Sequence, residues 1–186
     1  KFMELIRLPN TATSEEIAKA LKEHGHCIIE NLVAPEVMDR IAEEMSEFIT
    51  TSPYGEDKFL GYLTQRTGSL VARSKTARDL ITHPLVLDSA KKHLSKSSTM
   101  QLQLTQIITV NPGAPSQTLH QDQLAWDFFD FPDDFEGRVT ATLIRKKAST
   151  TTKKPFYIYM ALLIIFFKPK WRSASTNTVL IFMHSI

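Results

Sequence analysis

QLQLTQIITVNPGAPSQTLHQDQLAW, residues 101–126, decides how this chain is read. Its first ten residues have strand composition, with Leu102, Leu104, Ile108 and Val110 predicted on one face and Gln101, Gln103, Thr105 and Thr109 on the other. A polar face of that kind suits a cavity wall. The breakers NPGAPS, residues 111–116, turn the chain, and QTLHQDQ, residues 117–123, runs back beside the first strand. Side chains repeat every two residues along a strand, so His120 and Asp122 fall on one side, with a spacing that permits joint binding of one metal ion. A single His-x-Asp is a weak signal, which a polar surface turn also explains. Its chemical interest is that imidazole and carboxylate are two parts of the two-histidine, one-carboxylate triad that holds non-haem Fe(II) and leaves positions open. The third ligand should then be a distant histidine on another strand.

The chain before this stretch reads as helices feeding a sheet. Ser14 is expected to cap EEIAKALKEHG, with Glu15 and Glu16 favouring the positive helix end and Ile17, Ala20 and Leu21 forming the buried stripe. Gly25 ends that helix and HCIIENL follows as a short β segment. APEVMDRIAEEMSEFIT carries Pro35 in its first turn and Val37, Ile41, Met45 and Phe48 at helical spacing. Residues 51–75, punctuated by Pro53, Gly55, Gly61 and Gly68, read as irregular: either the border of a site or a surface excursion. HPLVLDSAKKHL is a helix with Leu85, Leu87, Ala90 and Leu94 turned roughly inward. His83 and His93 are expected to be a cap-region residue and a solvated one. The tempting HGHC cluster, residues 24–27, lies between a helix end and a strand, where a structural His26 is expected.

Composition bounds the setting. A chain of 186 residues with 42% hydrophobic content is enough for one ordinary core. Cys27 is the only cysteine, so no intramolecular disulfide and no Cys-rich zinc site can form, and the cytosol is the expected compartment. KFMELIRLPN lacks the long apolar run of a secretory signal, and its start at Lys1 suggests that the native N-terminus precedes it.

The net charge of +2 hides a break. Residues 1–136 hold 13 basic and 20 acidic residues, a net of −7, whereas residues 137–186 hold nine basic and no acidic ones, a net of +9. No glycine follows Gly137, and FYIYMALLIIFF, residues 156–167, is too short for the roughly 20 residues of a membrane-spanning helix. The tail reads either as a basic segment that meets a membrane surface or nucleic acid, or as an abnormal C-terminus such as an unspliced intron or a shifted frame. The second reading is preferred, and no nucleic-acid partner is expected.

The order EHGHCIIENLVAPEVMDRI, FLGYLTQRTGSL, HPLVL, QLTQIITVNPG and LHQDQLAW resembles the phytanoyl-CoA dioxygenase family over roughly residues 12–135. That resemblance implies Fe(II) and 2-oxoglutarate as cofactors, with ascorbate as reductant, and a double-stranded β-helix, or jelly roll, preceded by helices. It implies oxidative decarboxylation of 2-oxoglutarate to succinate and carbon dioxide, coupled to hydroxylation of a small organic or acyl substrate. Carried across residue by residue, His120 and Asp122 are the first histidine and the carboxylate of the iron triad. Gln106 and Gln117 match positions that approach 2-oxoglutarate, Gln117 only if the strand near Pro115 is irregular. Trp126 lines the substrate cavity or belongs to the core, and Gln121 leans on the cosubstrate or faces solvent.

The sequence then departs from the family. No Gly-Ser-His-like stretch supplies the second iron histidine, and Arg138, Arg145 and Arg172 lack the surroundings of the arginine that pairs with the cosubstrate's distal carboxylate. The only downstream histidine is His184. The expectation is therefore an α+β protein in two parts. Residues 1–136 form N-terminal helices packed on an incomplete jelly roll, and residues 137–186 form an atypical basic tail. It is read as truncated and impaired. The alternative is a non-catalytic interaction protein, or an aberrant fragment, that self-associates through exposed sheet edges.

Overall fold

The computed structural model describes residues 5–117, 138–148, 155–169 and 179–184. The chain is α+β. In order it forms β1 (Arg7–Leu8), α1 (Ser14–His24), β2 (His26–Glu30), α2 (Pro35–Glu44), α3 (Ser46–Thr51) and β3 (Thr64–Gly68). These are followed by α4 (Leu70–Arg73), α5 (Lys75–Ile81), α6 (Pro84–His93), β4 (Ser97–Val110), β5 (Arg138–Ala148), β6 (Pro155–Pro169) and β7 (Val179–His184).

The first helix shows how the sequence sets an element. Its N-cap is Thr13, one residue before the expected Ser14: the Thr13 hydroxyl accepts from the Glu16 backbone N–H at 3.2 Å, and the Glu16 carboxylate accepts from the Thr13 backbone N–H at 2.7 Å. This reciprocal capping box satisfies two backbone donors at once, which a cap at Ser14 does not. Gly25 closes the helix in the left-handed conformation, φ 74°, and donates to the Leu21 carbonyl. The stripe of Ile17, Ala20 and Leu21 is buried as the spacing predicts.

All described strands lie in one mixed seven-stranded sheet, ordered β1-β2-β7-β5-β6-β4-β3. The β3–β4, β4–β6 and β5–β6 pairs are antiparallel; β1–β2, β2–β7 and β5–β7 are parallel. The tail, whose lack of turn residues argues against successive strands, thus contributes β5, β6 and β7. Its β-branched and aromatic composition suits strands in spite of that lack.

Paired residues of neighbouring strands share a face, so the register sorts the sheet into two sides. One side carries Cys27, Ile29, Thr67, Ile107, Val139 and Ala141, all buried. It is packed against Ile17 and Leu21 of α1, Met38 and Ile41 of α2, Met45, Leu70, Ala77 of α5, and Val86, Ala90 and Leu94 at α6. In α6 the buried position is Val86, with Leu85 and Leu87 only partly buried at its flanks.

Candidate functional site

From Leu104 onward β4 groups its side chains as expected, Leu104, Ile108 and Val110 on one face and Thr105 and Thr109 on the other, but the threonine face is the buried one. Thr105, Ile107 and Thr109 are buried toward the helices, whereas Gln106, Ile108 and Val110 are half-buried on the other side. A register shift lies between Leu102 and Leu104, where Gln103 is the extra residue of a β-bulge and reverses the alternation across it. Leu102 and Leu104 therefore do not share a face. Of the two threonines that suggested a cavity wall, Thr105 serves the fold, whereas the buried Thr109 Oγ1 has no hydrogen-bond partner among the described residues. Thr105 Oγ1 accepts from the Leu70 backbone N–H at 3.2 Å. On β3, Thr67 shares a 2.8 Å hydrogen bond with Ser52, and Gln65 Nε2 donates to the Ser52 carbonyl at 2.7 Å and to the Ile49 carbonyl at 3.1 Å. These polar side chains tie the sheet to α3 and α4.

Gln106 is left on the face that the described helices do not cover. Its register partners are Gly68 on β3 and Ala161 on β6. In the next row, Ile108 pairs with Arg66 of β3, which places a cation on the same face. Burial lowers the Arg66 pKa, opposed by the nearby Asp57, and its Nη1 donates to the Leu60 carbonyl. Sequence reading passed over Arg66 because it lies in a segment that reads as irregular, although TQRTG alternates sides once it is known to be a strand.

Past Val110 the chain turns at Asn111–Ala114, where the Ala114 N–H donates to the Asn111 carbonyl at 3.1 Å and Gly113 has φ 90°. Proline before a positive-φ glycine is the order such a turn requires. Gln117 follows and is exposed. His120, Gln121, Asp122 and Trp126 lie outside the described residues. His184 ends β7, in register with Glu30 of β2 and Ile144 of β5. Three strand spacings separate its strand from β4, about 14 Å.

Among the described residues no three His, Cys, Asp or Glu side chains come together as metal ligands. The HGHC cluster is structural: His26 is buried with its Nδ1 3.0 Å from the His24 carbonyl, and burial pushes the Cys27 thiol up to about 11. Because a carbonyl only accepts, Nδ1 carries the proton there. His83 caps α6 through its backbone alone. His93 is not solvated as expected but half-buried, since α6 lies against α1. No described helix is long and apolar enough to cross a membrane.

Comparison with known proteins places these features. Dioxygenase trt7 of Aspergillus terreus is 30% identical over 131 residues, covering 63% of this chain and 43% of its own. Multifunctional dioxygenase ausE of Emericella nidulans is 32% identical over 130 residues, 64% of this chain and 42% of its own. The Fe(II)/2-oxoglutarate-dependent dioxygenase nvfF of Aspergillus novofumigatus is 26% identical over 164 residues, 80% of this chain and 55% of its own. The chain thus spans less than half the length of the first two. The family model for phytanoyl-CoA dioxygenase (PhyH) matches residues 21–148, from α1 to the end of β5, and so takes in Gln106, Gln117, His120 and Asp122. The chain belongs to the phytanoyl-CoA dioxygenase family.

Proposed function

We propose that this chain carries one side of an Fe(II)- and 2-oxoglutarate-dependent oxygenase site that hydroxylates a small organic molecule, within a jelly roll of which the described strands form part. The observation that carries this reading is the family match across residues 21–148, which spans the whole LHQD stretch and its supporting strand. His120 and Asp122 are the iron ligands. Gln106 and Gln117 hold 2-oxoglutarate, with Arg66 on the Gln106 face as a cation for one of its carboxylates. Trp126 borders the substrate. When bound, the iron and its cosubstrate supply the oxidising chemistry, and ascorbate keeps the metal reduced. The chain's own residues orient both and limit water. A reducing cytosol suits a protein whose single cysteine is buried.

Turnover by this chain alone is impaired in this reading. Two ligands hold iron weakly, and His184, on β7, has none of the family's sequence context. The family match ends at Ala148, inside residues 137–186, which hold nine basic and no acidic residues. The test is Fe(II) binding and succinate formation with purified protein, ascorbate and 2-oxoglutarate. His120→Ala and Asp122→Ala should each lower Fe(II) affinity, His24→Ala should not, and succinate should form no faster than with free Fe(II). Equal losses at all three positions overturn the ligand assignment; succinate above the blank, abolished by His184→Ala, overturns the impairment.

A second reading, a non-catalytic chain that self-associates, is favoured by one feature. β3 pairs with only Gln106–Val110 of β4, and Met100, Leu102 and Leu104 on the longer remainder are exposed. Concentration-dependent sedimentation, reversed by a charge at Leu104, supports it.

A further inference from the structure

We propose that the end of the sheet shared by the tip of the β5–β6 pair and loop 53–63 is a docking surface for an anionic lipid bilayer. The strand register sets the placement. Thr64 pairs with Val110, Val110 with Tyr157 and Tyr157 with Lys146, so β3, β4, β6 and β5 share one row close to their ends. One residue further out, the Leu63 carbonyl accepts from the Asn111 N–H at 3.0 Å and from Asn111 Nδ2 at 3.2 Å, while Lys147 pairs with Phe156. Three strand spacings, about 14 Å, separate Lys146 from Thr64, where the loop begins.

The strand pair brings the charge. Arg145, Lys146 and Lys147 are consecutive on β5, in register with Ile158, Tyr157 and Phe156 of β6. β7 stops in register with Ile144, and β4 stops in register with Tyr157. Among the described residues, no strand therefore pairs with residues 145–148 on the β7 side or with Phe156 on the β4 side. Neither β5 nor β6 holds an acidic residue. The loop brings the apolar surface, since Tyr54, Phe59, Leu60, Tyr62 and Leu63 are between 39% and 54% exposed. Its acids are offset locally: Asp57 Oδ1 accepts from the Leu60 N–H at 2.6 Å and its charge acts on Arg66, and Glu56 lies two residues from Lys58. Glu30, at the same end of β2, is paired with Arg7 at 2.7 Å.

Stable attachment to a bilayer surface takes two signals, and this end of the sheet holds both. Each Lys or Arg close to an anionic leaflet strengthens the attraction about fivefold, an effect that salt screens within a Debye length. Apolar side chains that enter the interface add contact that salt does not screen, and tyrosine suits the headgroup level because its ring is apolar and its hydroxyl polar. Charge and shape select the occupant. The exposed Leu60 and Leu63 gain nothing from a phosphate backbone, which argues against nucleic acid. A second copy would bring two like-charged strand tips together. The docking needs neither iron nor 2-oxoglutarate.

The experiment floats the full chain with vesicles of phosphatidylcholine alone or with about 30% phosphatidylserine added. Binding to the mixed vesicles should be stronger by about tenfold or more. Lys146→Glu/Lys147→Glu should lose that advantage, and Phe59→Ser/Tyr62→Ser should weaken binding severalfold, with circular dichroism and the thermal midpoint unchanged because both loop side chains are exposed. If the lysine pair fails to fold, Lys147→Gln and the loss of binding by the parent in about 0.5 M salt take its place. Lys19→Glu/Lys22→Glu, an equal change of charge on the exposed side of α1, should leave binding within about twofold of the parent. An equal loss there overturns the proposal, because adsorption then follows net charge alone. Equal binding to the two kinds of vesicle overturns it, as does full binding by the loop variant, which leaves a charge contact without the apolar half. Tighter binding to a DNA or RNA oligonucleotide, lost in the lysine variant and kept in the loop variant, makes nucleic acid the partner. A dimer in vesicle-free solution that Phe59→Ser/Tyr62→Ser abolishes makes a second copy the occupant, and either result overturns the proposal.

Discussion

The two sides of the sheet are built from the same strands but hold different kinds of residue. Toward the helices, Ile29, Ile107, Val139 and Ala141 are at most 1% exposed, and the polar side chains among them, Thr67 and Thr105, are used up in hydrogen bonds that fasten helices to strands. On the other side Gln106 and Arg66 are half-buried, beside the small neighbours Gly68 and Ala161. The helix-facing side spends Thr67 and Thr105 on holding the fold, though the buried Thr109 Oγ1 on it has no hydrogen-bond partner among the described residues. The other face keeps an amide and a guanidinium at intermediate depth, the two groups that the proposed site would turn toward a carboxylate-bearing cosubstrate.

Adjacent isoleucines of β4 test this contrast most severely. Ile107 is 1% exposed among α-helical neighbours, so Ile107→Ala should cost about 2–5 kcal/mol through lost transfer energy and a residual cavity. Ile108, one residue on and half-buried on the other face, should cost about 1 kcal/mol or less on the same change. Urea unfolding of the two variants measures the difference through their midpoints. Equal costs, or the reverse order, would mean that the open face is packed as a core and that Gln106 is not available to a cosubstrate. Gln106→Ala sharpens the same contrast: it should leave stability near that of the parent while weakening 2-oxoglutarate binding.

How much of this was legible depended on whether local pattern or distant contact decided each element. The α1 stripe, the Gly25 stop, Pro35 in the first turn of α2 and the turn at Pro112–Gly113 all follow from neighbours in sequence, and all are where the sequence places them. β3 escaped because TQRTG has no apolar alternation: its buried Thr64, Gln65 and Thr67 are tolerated only because β4 and α3, far along the chain, supply partners. Leu102 was set with Leu104 on one face of β4 for a similar reason. The bulge at Gln103 is a property of the pairing with β6, and a one-residue shift moves every side chain to the other face. Of the site, Gln106 was legible by family resemblance, whereas Arg66 needed β3 to be known as a strand; His120, Asp122 and Trp126 lie outside the described residues.

On the helix side, Glu44 is the next most sensitive position. Its carboxylate accepts from the Ser74 hydroxyl, from Thr76 Oγ1 at 2.7 Å and from the Thr76 N–H at 3.1 Å, while Ser74 Oγ caps α5 by accepting from Ala77 N–H at 2.9 Å. Glu44→Ala leaves the fully buried Ser74 hydroxyl without its acceptor and should cost about 1–3 kcal/mol. Glu44→Gln should cost less. Those hydrogen bonds, the one from Ser74 first, hold the Glu44 carboxyl below its ordinary value. A depressed carboxylate pKa gives stability that is present above the unfolded value and lost as pH falls through the folded one. Acid unfolding of Glu44→Gln should therefore lack part of the parent's loss below the ordinary carboxylate range. Identical acid limbs would show that Glu44 is not coupled to folding.

The smallest effect expected is at His93, and it tests whether the helix layer excludes water as the packing implies. His93 ends α6 against α1, and burial is the main influence lowering its pKa; the Lys22 charge acts in the same direction, and a hydrogen bond to the Ala18 backbone opposes both. A helix C-terminus favours a cation, so the lowering means that desolvation outweighs the dipole here. In the unfolded chain the same imidazole takes up a proton at its ordinary value. Between the two values the unfolded state binds more protons, so stability rises with pH and falls as the solution is acidified through the histidine range. Melting the parent and His93→Gln between about pH 7.5 and about pH 5.5 should show a steeper fall in the parent, by a few degrees at most for one partly buried group. A parent that instead gains stability on acidification, with the gain absent in His93→Gln, would mean that the helix terminus and Ala18 stabilise the imidazolium, and that the α1–α6 contact admits water.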